Sequence, residues 1–409
     1  MSVKIVSGDL ILESENIKSI KVIEEPDPVS QTIRSATIDV VSLIANINEF
    51  LNYKDDVFEL QYGERLKMKM GLYSYKNTAK NTWRLEFGNY IKILEMHDFH
   101  GDVYTDKLAI DLIYEIFQAA GFSSDEIVID NRILDKNATV TGWIPYTTCK
   151  EALKHVLFAI GATASSTMEK PYIVANEGTE TITELLRSKV LSGVKVEESD
   201  ANQCDKVEIT AHEYKENYSK STIFSDSQYG TKDNPAKATI IFDEPHCHYN
   251  FLTFSGVGTT SDYEVVESSA NHIVVKWWGG SIGGGGATIT LRIEADGYDH
   301  TTKDFWNKQV GTKGENSIKI EDMTLVNDNN AESVIQKILN FYSKPSTVTA
   351  KVVIGKHVSE DGTITYDEDI KCGDVATIPT DYQGTYTGMV VKEQYNLNGN
   401  IIFKELTIK

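Results

Sequence analysis

Cysteine is scarce in this chain and its spacing forms no motif: four residues in 409, at positions 149, 204, 247 and 372, with no CxxC. That excludes a disulfide scaffold and a Cys-rich zinc module, and it fits reduced thiols in a protein made inside a cell. Arginine is scarcer than its neighbours in charge. Only six of the forty basic residues are Arg (34, 65, 84, 132, 187 and 292), while sixty acids bring the net charge to −20. A surface of that sign repels phosphate backbones and lacks the side chain best suited to holding them, so tight nucleic-acid binding is excluded. An acidic wall that nucleic acid can slide past without sticking is compatible with the same balance. No segment approaches the roughly 18 uncharged apolar residues of a membrane helix, so stable membrane insertion is not expected. The opening MSVKIVSGDLIL lacks a basic start and an apolar run, so a secretory signal is not expected either. No repeat of solenoid length is visible.

What the chain does have is aromatic and extended in character. Twenty Tyr, fourteen Phe and five Trp stand against eight Pro, a composition that favours packed β structure. Apolar residues make up 41% and charged residues 24%, close to globular averages. The length predicts two to four domains.

Up to about Gly101 the hydrophobic period is two. Leu66, Met68, Met70 and Leu72 alternate with Lys67, Lys69, Gly71 and Tyr73; after the turn KNTAKN, Trp83, Leu85 and Phe87 alternate with Arg84 and Glu86. This reads as an antiparallel hairpin with one wet face, and Ala36, Ile38 and Val40 repeat the device. The period then becomes helical. Leu108, Leu112, Ile113, Ile116, Phe117 and Ala120 predict a helix with Thr105 as its N-cap and Gly121 as its stop. Thr148 and Glu151 form a capping box ahead of Ala152, Leu153, Val156, Leu157 and Ile160, closed by Gly161. Short strands at 126–129 and 171–174 complete an α/β insert. Strands resume from Lys195, with Val207, Ile209 and Ala211 on one face, and run to about Phe242. A third region, 243–327, holds short apolar runs and the tract WWGGSIGGGG. A helix near 331–342, stopped by Pro345, precedes a last β segment in which Val348, Ala350, Val352 and Ile354 alternate and Asn398-Gly399 marks a hairpin.

The expected fold class is therefore mainly β with α/β inserts, an α+β multidomain chain of two tube-type β barrels plus inserted domains. The expected boundaries are 1–101 for the first barrel, 102–188 for the α/β insert, 189–242 with 340–409 for a discontinuous second barrel, and 243–339 for an inserted β domain with one helix.

Candidates for chemistry are few. Asp243-Glu-Pro-His246-Cys247-His248 packs two imidazoles and a thiol into three positions. In a regular strand His246 and His248 share one face and Cys247 takes the other, which supplies at most two ligands on a side, short of a zinc site. His97 and His100 form a second pair without an HExxH spacing, and His212, His272 and His300 have no diagnostic spacing. The glycines at 279–286 are followed by Ala287-Thr288-Ile289-Thr290-Leu291, a strand pattern where a phosphate loop needs a helix, so a hairpin tip is expected. Of Trp277 and Trp278, one is expected in the core and one at an edge. The acidic runs Glu360-Asp361 and Asp367-Glu368-Asp369 read as solvated loops, and Asp361-Gly362 as a turn rather than a calcium loop. No GxSxG is present and no cysteine sits in a catalytic motif. No catalytic, cofactor-binding or metal residue is assigned, and no enzyme is expected. The alternative is a cell-wall-degrading or glycan-binding protein acting through 243–327, around His246, His248 and the Trp-Gly tract.

Gly142-Trp143-Ile144-Pro145, then Thr148 to Leu153, then Phe158-Ala159-Ile160-Gly161-Ala162 resemble a segment of bacteriophage tail hub, or baseplate hub, proteins, which also occur in phage-like contractile injection particles and R-type bacteriocins. Gly373-Asp374, Ile378-Pro379 and Tyr386-Thr387-Gly388 are similar to that family's second barrel. The resemblance implies a homotrimer whose three copies offer six tube-like barrels, joining a sixfold tail tube to a threefold central spike or tip. Its implied partners are itself, the tube protein, the spike protein and the tape-measure protein, and its implied location is the tail of a virion or phage-like particle. The chain stops at Lys409 directly after the hub-like strands, so any peptidase, lysozyme or spike is expected on another chain.

Overall fold

Alternating apolar residues need a covered face, and in the computed structural model they find it in sheets built from both ends of the chain. The structure describes residues 3–27, 37–62, 66–135, 137–166, 170–198, 203–281, 285–309, 316–343, 346–354, 356–358, 364–366, 370–381, 384–397 and 402–409. The predicted hairpin forms between Leu66–Ala79 and Thr82–Gly88, with the turn at Lys80 and Asn81, where Asn81 has φ 55°. Met68, Met70, Leu85 and Phe87 are buried under it, with Phe50 and Phe58 stacked alongside at 5.6 Å. Asn398-Gly399, Pro345 and the acidic runs at 360–361 and 367–369 lie outside the described residues.

Two β units are present, each with its own core. One gathers Ile5, Ile20, Val40, Leu60 and Phe87; the other gathers Val190, Ala350, Val352, Ile378, Leu406 and Ile408. Neither closes into a barrel among the described residues. Instead the strand Ile17–Glu24 pairs antiparallel with Thr385–Asn396, and the two units merge into one open 13-stranded sheet. That pairing takes up one edge of each unit and leaves the other for the ends of the merged sheet.

The α/β insert packs around Leu112, Ile113, Ile116, Phe117, Leu153, Val156 and Ile173. Its packing reaches into the neighbouring segments. Tyr90, Ile91, Ile93 and Leu94 of the helix Tyr90–Glu95 already belong to this core. At the other end, Ile182–Glu184 pairs with Val375–Pro379 of the second β unit. The first long helix runs Ala109–Ala119, because Asp102–Leu108 is a strand paired with Thr139–Ile144; Thr105 is therefore no N-cap. The second, Cys149–Ile160, matches its signals. The Thr148 hydroxyl accepts from the Glu151 amide at 3.3 Å, and Gly161 stops it at φ 67°. Its buried Leu153, Val156 and Leu157 each contribute about 1.5–3 kcal/mol by leaving water.

His155 on that helix is buried, its Nδ1 3.1 Å from the Thr324 hydroxyl, which donates to the Trp143 carbonyl. The imidazole must then be the donor in that contact. Burial, with Lys154 adding to it and Glu151 and Asp322 opposing, pushes its pKa down to about 4 from 6.5. The unfolded chain therefore binds a proton in this window that the native chain does not. Stability is expected to fall by up to about 3 kcal/mol as pH drops from 6.5 to 4, and His155→Gln is expected to flatten that slope in urea titrations at stepped pH.

The strand expected in the second barrel, Lys206–Gly230, pairs instead with Ala287–Lys308, and Ala236–Ile241 pairs with His272–Ser281. Alternation at Val207, Ile209 and Ala211 reports a buried face but not which strand lies beside it. Those three residues pack on the helix Ala331–Phe341 through Val334, Ile335 and Ile338.

Candidate functional site: sheet edges and the joint between units

The merged sheet ends at Leu10–Glu13 on one side and Lys195–Glu198 on the other. Among the described residues the first pairs only with Val3–Ser7 and the second only with Ser346–Ile354, so each presents an unpaired backbone row there. Such edges are templates for another chain unless they are blunted. Here they carry apolar side chains in solvent: Ile11 is 51% exposed and Val196 60%. On a side branch of the sheet, Ile182–Glu184 pairs with Val375–Pro379, and Ile182 and the nearby Leu186 are also exposed.

What holds the two units in register is a buried polar joint that sequence reasoning did not single out. Glu24 and Glu393 are directly opposite across the joining strands. The ammonium of Lys404 donates to Glu393 at 2.9 Å and to the Ile370 carbonyl at 3.1 Å, and all three charged residues are almost fully buried. Glu24 accepts from the hydroxyls of Ser165 and Ser166 at 3.1 and 2.7 Å and from the Ser166 amide at 2.8 Å. Those serines belong to the α/β insert, so the joint ties three parts of the chain. Burial raises the Glu24 pKa, opposed by the serine hydrogen bonds and by Lys404.

A second joint fixes the inserted β sheets. Asn271 donates to the carbonyls of His100 and Ile144 at 2.9 and 2.7 Å and accepts from the Trp143 indole at 2.5 Å. Gly142, within the GWIP motif, is at φ 142°, and a Cβ there would run into the Thr324 carbonyl; the motif's glycine is a close-approach residue.

The sheets and these joints can be compared with solved structures. The crystal structure of the tail protein from Neisseria meningitidis MC58 superposes with TM-score 0.52 at 11% identity, covering 99% of this chain and 96% of that one. The chain shares the fold of that tail protein. The 43 kDa tail protein of prophage MuSo2 from Shewanella oneidensis aligns at TM-score 0.49 and 9% identity over 100% of this chain and 98% of that one. The prophage tail protein gp18 from Listeria monocytogenes EGD-e aligns at 0.48 and 9%, over 100% and 94%. No protein-family model matches the chain, and no curated protein matches it by sequence. The resemblance drawn from Gly142 to Ala162 thus holds at the level of fold.

Within this tail-protein fold the chemistry candidates are dispersed. His246 and His248 do not share a face, because the ladder slips between Cys247 and Asn250 and His248 sits at φ 50°. His246 turns to Phe242, while Cys247 and His248 gather with Glu216. His97 gives its carbonyl to the Cys149 amide, whereas His100 meets Glu267 and stacks on His272 and Tyr146. His212 stacks on His300, with ring centroids 5.2 Å apart. Trp277 is fully buried and donates to the Ile289 carbonyl at 3.2 Å, while Trp278 is half-buried. A strand, not a helix, follows the glycine tract, whose residues 282–284 lie outside the described residues.

Proposed function

We propose that this chain is a structural hub of a phage or phage-like tail. Three copies assemble head to tail, the Leu10–Glu13 edge of one against the Lys195–Glu198 edge of the next. A heterologous contact of this kind closes a ring when the rotation is right. Each copy brings two β units, so the ring offers six to the sixfold tail tube and threefold order to a central spike or tip. The observation that carries this reading is the single sheet open at both ends, with Ile11 and Val196 in solvent on its two edges. The net charge of −20 per chain suits a ring through which DNA or a tape-measure protein must pass without adhering. The role is one of assembly and requires no catalysis.

The test is electron microscopy and mass measurement of the chain alone and with tube protein. A threefold ring of six β units on the tail axis is the expected result. A chain that stays monomeric at high concentration and ignores tube protein, or that lies off the axis, overturns it.

A further inference from the structure

Two strands of the inserted sheet become irregular beside the same stretch of the strand between them. The strand His246–Phe254 bulges between Cys247 and Asn250, and Lys206–Gly230 slips between Asn217 and Ser221. Both flank the same stretch of the central strand, Glu294 to Gly297. Bulges re-aim side chains out of the pleat and recur beside functional sites. Here they bring Glu216, Cys247 and His248 together, with one potential ligand atom of each lying within 4.8 Å of the others.

The surroundings of this cluster are built rather than incidental. Asp296 is 4% exposed; one carboxylate oxygen stands 3.2 Å from His248 Nδ1 and the other, buried, has no partner. His248 Nε2 faces Glu216 at 3.7 Å, and the Tyr218 hydroxyl donates to the same carboxylate at 2.9 Å while its ring stacks on His248. A histidine whose one nitrogen is held by a buried carboxylate and whose other faces a carboxylate and a thiol has the arrangement of a metal ligand with its orienting partner. His248 takes up a left-handed backbone conformation to reach it, which a non-glycine residue adopts only when its surroundings compel it.

We propose that Glu216, Cys247 and His248 bind a divalent transition-metal cation of the zinc class, with Asp296 as the residue that orients His248. Sulfur, imidazole and carboxylate donors together select Zn2+ or Co2+ over Mg2+ or Ca2+. Three protein donors leave a fourth, solvent-facing position for water. The cation would staple the two outer strands across the central one at the point where their ladders are broken. His246 has no part in it.

The test uses Co2+ as a spectroscopic probe on the reduced, metal-stripped full chain, followed by displacement with Zn2+. One Co2+ per chain with a thiolate-to-metal charge-transfer band is expected. That band should be lost in Cys247→Ser and His248→Ala and unchanged in His246→Ala. Glu216→Gln, at an exposed position where folding is not at risk, is expected to weaken binding and to change the band. Asp296→Asn is expected to weaken binding roughly 10- to 100-fold without changing the stoichiometry. The absence of a charge-transfer band overturns the proposal. So does a band that survives in both Glu216→Gln and His248→Ala, since the metal would then sit at another cysteine.

Discussion

Lys404→Met is expected to destabilise the protein by about 3–5 kcal/mol, the usual loss when one partner of a buried ion pair is removed. Lys404 donates to Glu393 within the joint, and it also lowers the pKa of Glu24. Without it, two opposed carboxyls stay buried with less to offset their desolvation. The double variant Lys404→Met with Glu393→Leu should recover most of the loss, since the stranded charge is removed along with the cation. Urea midpoints of the three proteins are the measurement. Equal losses in the single and double variants would show that the joint is held by packing and not by charge. The pH dependence has a definite sign. Glu24 titrates above its ordinary value of 4.5 in the native state, so that state keeps a proton the unfolded chain has released. Its contribution to stability is therefore greatest below 4.5 and declines as pH rises through the native value, over a wider pH range still in Lys404→Met.

The second large effect concerns the edges. Ile11→Asp and Val196→Asp, made separately, are each expected to weaken ring formation by at least about 30-fold, corresponding to roughly 2 kcal/mol for a central interface residue. Both side chains are in solvent in the single chain, so the fold and its thermal midpoint should be nearly unchanged. A charge on either edge also opposes strand addition directly. Sedimentation or native mass measurement across a concentration series checks this. If both variants assemble as the parent does, the open edges are not the interface.

Much of the architecture was legible in the sequence. The hairpin at 66–88, the helix Cys149–Ile160 with Thr148 and Gly161 at its ends, and the burial of one of the two adjacent tryptophans follow from local rules, because each depends on residues within a few positions of one another. The first helix was placed too early because Leu108 satisfies helical spacing while belonging to a strand whose partner begins at Thr139. The pairing of Lys206–Gly230 with Ala287–Lys308 shows a related limit: alternation marks a buried face and is silent about the neighbour. His246 and His248 were put on one face by assuming a regular pleat, and a slip in the ladder separated them. Bulges have no fixed sequence signature, so only the fold could reveal that Cys247 and His248 approach Glu216.

By itself, the sequence determined the β-dominated class, the caps of the helix Cys149–Ile160, the acidity that repels phosphate and the lack of a catalytic motif. Periodicity, propensity and charge are local or additive properties, and they survive without knowledge of the fold. Only the tertiary structure decided that the two β units fuse edge to edge, that Glu24, Glu393 and Lys404 form their joint, and which strand edges stay open. Those contacts join residues hundreds of positions apart, and their energies depend on burial and mutual geometry that no single segment encodes.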